Sequence, residues 1–322
     1  MMTSTLTPSQ QSTQAIRRPH PLLSVLAWEL YRRRASRRAW WLLLLAFGFF
    51  VFILWLLSIL RFAGTSSFGN GATFTVAISS AQGQVMLLPT LTFLLALILP
   101  FMNADGVAHD LKQRTHELLM STTVPTWAYF WGRYVACVLS SLGLAALLLL
   151  ALLLTGVILH QTQSDYPLPQ VQAIGLIWGV AMVPATLLLS SVTFALGTLL
   201  GRRSSLAVLG VILSWFVFTV VLPVIPVAGS GRIPSWYLHW EPTNVGMAAV
   251  LQAPYTQSLS TILNSTSSGV SDSAILSALA HLEQHIPDLG PWILPHLIWV
   301  GLGLALVLIA GFSFKRFRNV PG

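Results

Sequence analysis

The sequence predicts an all-α integral membrane protein with six transmembrane helices, and three observations carry that reading. Of 322 residues, 55% are hydrophobic and only 8% charged, against about 25% charged in an ordinary soluble domain. Six apolar runs, near residues 40–60, 85–103, 133–159, 173–200, 206–228 and 292–314, approach or exceed the roughly 20 helical residues that cross a hydrocarbon layer. If these runs span alternately, all but Arg61 and Arg232 of the 17 basic residues fall on one side. That side is cytoplasmic by the positive-inside rule, so both termini are expected inside. Open sheets would leave backbone groups unpaired in lipid, which is why the runs are read as helices. The net charge of +8 therefore describes a membrane-facing surface, and no nucleic-acid groove is expected.

Residues 1–20 are polar, without apolar periodicity, and are expected to form a disordered cytoplasmic tail. Residues 21–39 read as an interfacial amphipathic helix. Its first part is apolar (Leu22, Val25, Trp28, Tyr31), and its end carries Arg32, Arg33, Arg34, Arg37 and Arg38, placed to meet lipid phosphates. A basic residue near an anionic leaflet contributes about 1 kcal/mol, so the cluster anchors this end. A plain stop-transfer cluster is the simpler alternative. The six-span domain then covers residues 40–314. Its first run starts too late and extends too far for a cleaved signal peptide, and is expected to remain as an anchor. Pro89 and Pro100 interrupt the second run; Pro184, Pro223 and Pro226 lie in the fourth and fifth, where they kink helices or end them. Residues 315–322, with Lys315, Arg316 and Arg318, form a cytoplasmic tail.

The connections assigned to the outer side differ in length. Residues 61–84 are Gly/Ser/Thr-rich, with a strand-like alternation at Thr73, Phe74, Thr75 and Val76. Residues 160–172 are short and hold Pro167 and Pro169. Residues 229–291 form an outer loop large enough to fold as a small lid. Within it, Ser271 or Asp272 can cap a helix whose Ile275, Leu279, Leu282 and Ile286 share one stripe, and a second short helix is expected over 244–252.

The most informative segment lies between the second and third runs, over residues 105–136. Asn103 or Asp105 can cap a cytoplasmic helix reaching about Met120, with Val107, Leu111 and Leu118 on one face. Asp110 and Arg114 are spaced i,i+4, and Arg114 and Glu117 i,i+3, so the other face can pair charges. Ser121 to Pro125 breaks the helix. Trp127, Tyr129, Phe130 and Trp131 then supply an aromatic belt at headgroup depth, and the third span opens at Arg133. A rigid helix held at both ends by spans can pass a push from outside the membrane to two spans at once.

In this segment the sequence resembles the type-2 permeases of ATP-binding-cassette transporters, mostly exporters. The likeness is carried by residues 114–125, RTHELLMSTTVP, and by the Gly132-Arg133 pair opening the third span. It extends to the helix before the first span, the six-span layout and the large outer loop before the last span. His116 stands where a small or aliphatic residue is the norm, and Arg133 replaces the commoner lysine. The resemblance implies a permease subunit pairing with a second permease, identical or closely similar, and with two cytoplasmic ATPase subunits. It implies that residues 105–123 are the coupling helix seated in the ATPase, with Asp110, Arg114, Glu117, Leu118 and Ser121 as contact residues. ATP and Mg²⁺ would belong to that partner. Consistently, the chain has no G-x-x-x-x-G-K-[ST] phosphate loop, and neither of its lysines, Lys112 and Lys315, follows such glycines. No cofactor is expected in this chain, and its place is the plasma membrane of a prokaryotic cell. Trp127 and Trp131, with the five arginines, are the expected membrane-interface anchors.

A self-contained channel or secondary carrier is the alternative, followed by an intramembrane enzyme or assembly factor. No Asp, Glu, Lys or Arg lies near the middle of any run, which disfavours ion-coupled transport and points to a path lined by apolar and hydroxyl groups. No nucleophile–base set is visible. His281 and His285, one helical turn apart, could hold a metal ion through two imidazoles, but the spacing is not H-E-x-x-H and a solvated polar face is the simpler reading. His296, one turn into the last run, is a functional candidate because ionisable groups inside membranes are costly. Cys137 is the single cysteine, so no intrachain disulfide can form.

Overall fold

The computed structural model describes residues 20–35, 37–60, 65–67, 73–104, 125–163, 166–225, 233–265 and 272–314. The described residues are almost wholly helical. In chain order they form α1 (Pro21–Ala35), α2 (Arg37–Ile59), a short antiparallel hairpin of β1 (Thr65–Ser67) and β2 (Thr73–Thr75), α3 (Ala81–Asn103) and α4 (Thr126–Thr162). There follow α5 (Val171–Leu200), α6 (Ser204–Ile225), α7 (Ser235–Trp240), α8 (Val245–Ser265), α9 (Asp272–Gln284) and α10 (Gly290–Ser313).

Five of these, α3, α4, α5, α6 and α10, are long and apolar enough to cross a membrane. The first expected run gives α2, a helix of 23 residues whose charged residues are confined to Arg37 and Arg38 at its start. Arg37 and Arg38 lie in the first turn of α2, not at the end of α1. The third span starts earlier than the apolar run indicates, at Thr126 instead of Arg133. The helix of 37 residues is about 55 Å long, so it outreaches a ~30 Å hydrocarbon layer. The aromatic belt is thus a helical turn and not a loop.

Burial separates inner from outer helices. In the most apolar window, α5 is 61% buried and α6 only 11%, so α5 is the central post and α6 a peripheral one. The main core is built from leucines of α3 (Leu87, Leu88, Leu91, Leu95), Leu148 and Leu152 of α4, and Ile177, Met182 and Leu189 of α5. Outward faces keep large apolar side chains such as Leu209, Leu213, Leu297 and Ile309 exposed, as a lipid solvent permits.

α3 runs unbroken through Pro89 and Pro100, while two prolines of the later spans follow widened turns. A π-helical turn at Trp178–Met182 precedes Pro184, and another at Val217–Val221 precedes Pro223. Proline has no N–H to donate and its ring crowds the carbonyl four residues back, so a widened turn absorbs the mismatch without ending the helix. Gly201 ends α5 with φ +53°, a left-handed geometry that glycine adopts without a Cβ penalty. Gly175 and Gly179 have open space where a side chain would stand. The i,i+4 glycine spacing, which permits close helix approach, meets no neighbour there among the described residues.

Candidate functional site

The arginine-rich end is organised by α1 lying across the start of α4. The inward stripe of α1 is Leu22, Val25, Leu26 and Glu29, the i, i+3, i+4, i+7 spacing of one helix face. Gly132 is the point of approach, since a Cβ there would sit 2.8 Å from Val25 Cγ1. One residue on, Arg133 meets Glu29, with Nε 3.7 Å from Oε2 and both side chains about 1% exposed. Arg32 pairs with the same carboxylate at 2.9 Å. The Arg133 guanidinium also lies 5.1 Å from the Tyr129 ring centre and 5.9 Å from that of Trp28, while Arg32 lies 5.2 Å from Trp28. Burying a lone charge costs several kcal/mol. Here one carboxylate is shared by two guanidiniums between aromatic rings, whose faces attract cations.

The Gly132-Arg133 pair therefore has a local physical role: glycine admits α1, and arginine anchors it. Glu29 is not marked by the sequence pattern. Its partner is far along the chain, so no local spacing announced it. The only available signal was a carboxylate on the apolar side of α1.

The same end holds both exits of the segment between α3 and α4. Asn103 and Ala104 are buried, and Asn103 Nδ2 donates to Ser141 Oγ at 2.9 Å. Gly197 of α5 lets Ala104 close in: a Cβ at 197 would stand 2.3 Å from the Ala104 carbonyl oxygen. On the return side, Tyr134 and Ser191 share a 2.8 Å hydroxyl hydrogen bond, and Phe130 packs on Phe194 and Phe314. Residues 105–124, which include Asp110, Arg114, Glu117, Leu118 and Ser121, lie outside the described residues.

The other anticipated anchors are dispersed. Arg34 and Arg37 are exposed, and the Arg34 carbonyl accepts the Trp40 indole N–H at 2.8 Å. Arg33 and Arg38 belong to helices, but their side chains lie outside the description. Trp127 is half-exposed, with its ring edge-on to His20; Trp131 packs edge-on against Phe130 and Tyr134.

At the opposite end, the large loop folds into helices stapled to the bundle. α8 runs from Val245 to Ser265, well beyond the short helix expected there, and passes through Pro254. Glu241 is buried ahead of it and accepts the Thr243 N–H, the Thr243 hydroxyl and the Gly246 N–H. Burial pushes its carboxyl up to about 7 despite these donors. Asn244 takes the left-handed φ of 65°, tolerable for asparagine, and its Oδ1 meets His296 Nε2 at 3.1 Å. His296 is therefore a fastener between loop and last span. Trp292 and Trp299 donate to the carbonyls of Leu238 and Trp240.

α9 buries Ile275 and Leu279 and half-buries Leu282, whereas Ile286, the last residue of the expected stripe, lies beyond its end and is exposed. Glu283 is buried and accepts the Ala77 N–H at 2.6 Å. His281 and His285 are exposed, and among the described residues no group of three or more His, Cys, Asp or Glu could hold a metal ion.

Fold and site together define a polytopic α-helical membrane protein whose most polar connection is braced where it leaves and re-enters the bundle. The family model of ABC-2 family transporter proteins matches residues 77–313. That is well over half of the chain, and the chain belongs to this family. It is thereby a transport component of the membrane, and membership implies association with a cytoplasmic ATP-binding-cassette ATPase. The match begins after α1 and α2. No curated protein matches the chain.

Proposed function

We propose that this chain is the membrane-spanning subunit of an ATP-driven exporter, paired with a second permease in the plasma membrane and driven by two cytoplasmic ATPase subunits. In this reading residues 105–123 are the coupling element, and α2 completes a set of six spans with both termini inside. The observation that carries it is the bracing of that segment's two exits. Ala104 is wedged against Gly197 of α5, and the start of α4 is clamped by α1 through Gly132 and the Glu29–Arg133 pair. Closure of the ATPases would push on residues 105–123, and the push would reach α3 and α5 on one side and α4 with α1 on the other. Packed interfaces of this kind switch between discrete arrangements and do not deform continuously.

The experiment is affinity purification of the tagged chain from its native membranes, with mass spectrometry of what accompanies it. A stoichiometric ATPase with its own phosphate loop is expected. R114A and E117A should weaken its association by about tenfold each, roughly 1.4 kcal/mol, while membrane insertion stays intact. Unchanged association and transport in both variants would remove these side chains from the coupling role. A chain that purifies alone in several mild detergents would remove the ATP-driven reading itself.

A further inference from the structure

At the end of the bundle away from the arginines, a cavity of about 760 Å³ opens between α8, α9 and the first turns of α3 and α10. Its size is that of a small-molecule site, for which 300–1,000 Å³ is typical. The walls are largely apolar: Val250, Leu251 and Pro254 from α8 face Leu282 and Trp292. His281, His285 and Asp288 stand exposed on its α9 side and at its mouth, Ser258 lies on its α8 wall, and two further polar lining residues are buried. Tyr255 and Gln82 are each 4% exposed, and the Tyr255 hydroxyl and the Gln82 Nε2 have no hydrogen-bond partner in the protein. A buried donor left unmade costs about 1–3 kcal/mol, so two on one apolar cavity are a strong departure from ordinary packing.

The chemistry of the pair restricts what could satisfy it. An amide Nε2 only donates, and burial together with the charge of Glu283 holds the Tyr255 phenol protonated, pushed up to about 12. Both therefore offer N–H or O–H to an acceptor. Glu283 beside Tyr255 and Asp288 at the mouth disfavour an anion. Among the described lining residues the one carboxylate, Asp288, is exposed at the mouth, which leaves little within the cavity to hold a cation. We propose that this cavity is a binding site for an uncharged amphipath, with its apolar body on the α8 and Trp292 walls and a carbonyl- or ester-type oxygen on Tyr255 and Gln82. The site belongs to one chain and needs neither ATP nor a partner, so it stands or falls separately from the coupling assignment.

The test is photolabelling of the full chain in phospholipid nanodiscs with benzophenone, an uncharged apolar ketone. Its excited carbonyl takes a hydrogen atom from a nearby C–H and the two carbon radicals join, with no co-reactant. Peptide mapping should show labelling concentrated on residues 250–262 and 278–292, above that of the lipid-exposed face of α10. A278W, which fills the cavity from the exposed side of α9, should abolish the excess. Y255F and Q82L should each lower it about fivefold, the loss of one hydrogen bond of about 1 kcal/mol. The anionic analogue 4-benzoylbenzoate should label the site less than benzophenone. Labelling no higher than on α10, or an excess that survives A278W, overturns the site. An excess insensitive to both Y255F and Q82L, or stronger labelling by the anion, overturns the assigned ligand class.

Discussion

Glu29 and Arg133 are the pair on which the arginine-rich end turns. Each is buried, so deleting one leaves the other's charge without its main compensation, a change that costs about 3–5 kcal/mol. E29Q and R133L should each lower the melting temperature of the purified protein markedly. The double variant E29L/R133L should recover much of the loss, because an apolar pair of similar size carries no desolvation penalty. A double variant that is simply the sum of the two singles would deny the coupling between them. A separate residue-scale contact joins α3 to α5. G197A places a methyl carbon 2.3 Å from the Ala104 carbonyl oxygen, and backbone cannot swing aside as a side-chain tip can. It should cost about 1–3 kcal/mol, whereas G175A, which meets open space, should be nearly neutral; equal effects in a thermal-shift comparison would contradict the assigned close approach. At this scale the sequence marked Gly132-Arg133 as notable but gave no hint of Glu29. A partner on another helix leaves no trace in local spacing.

Among the elements, the α7–α8 turn carries a titratable latch. Glu241 caps α8, yet its carboxyl is pushed up to about 7 from 4.5 by burial. The folded state therefore holds the proton more tightly than the unfolded one. The stabilisation from this group is fully present below about 4.5 and is lost as pH rises through about 7. A difference of that size is on the order of 3 kcal/mol. Burial shifts Glu283 in the same direction, reinforcing the sign. Thermal stability followed from pH 5 to 8 should thus decline, and E241Q, which cannot titrate, should flatten much of the slope. A profile unchanged by E241Q would locate the pH dependence elsewhere. The sequence anticipated helices in this loop from capping and stripe patterns, and α9 follows the stripe through Leu282 but ends before Ile286. The second helix expected there ends at 252, whereas α8 continues through Pro254 to Ser265. Packing of α8 along α3 and α9 carries the helix past that point.

On the scale of the whole molecule, the asymmetric charge distribution is the quantity that orients the bundle. With α9 on the side opposite the arginines, S277C placed on its exposed face should react with a membrane-impermeant maleimide added to intact cells. S9C should react only after permeabilisation. Cys137, 1% exposed within α4, should stay silent in both conditions and needs replacement only as a control. The reverse pattern would invert the topology and with it the cytoplasmic placement of residues 105–123.

What the sequence determined by itself is which segments are helices that tolerate lipid, and which side the charge favours. These depend on each segment's own length and polarity set against the solvent around it. It also marked the polar segment 105–136, because charge between two apolar runs stands out in one dimension. Only the tertiary structure decided that α5 is central and α6 peripheral, that Glu29 closes on Arg133, that His296 fastens Asn244, and that Tyr255 and Gln82 share a cavity. Those outcomes depend on which faces meet. In a chain where nearly every face is apolar, hydrophobic periodicity cannot distinguish a face turned to lipid from one turned to another helix.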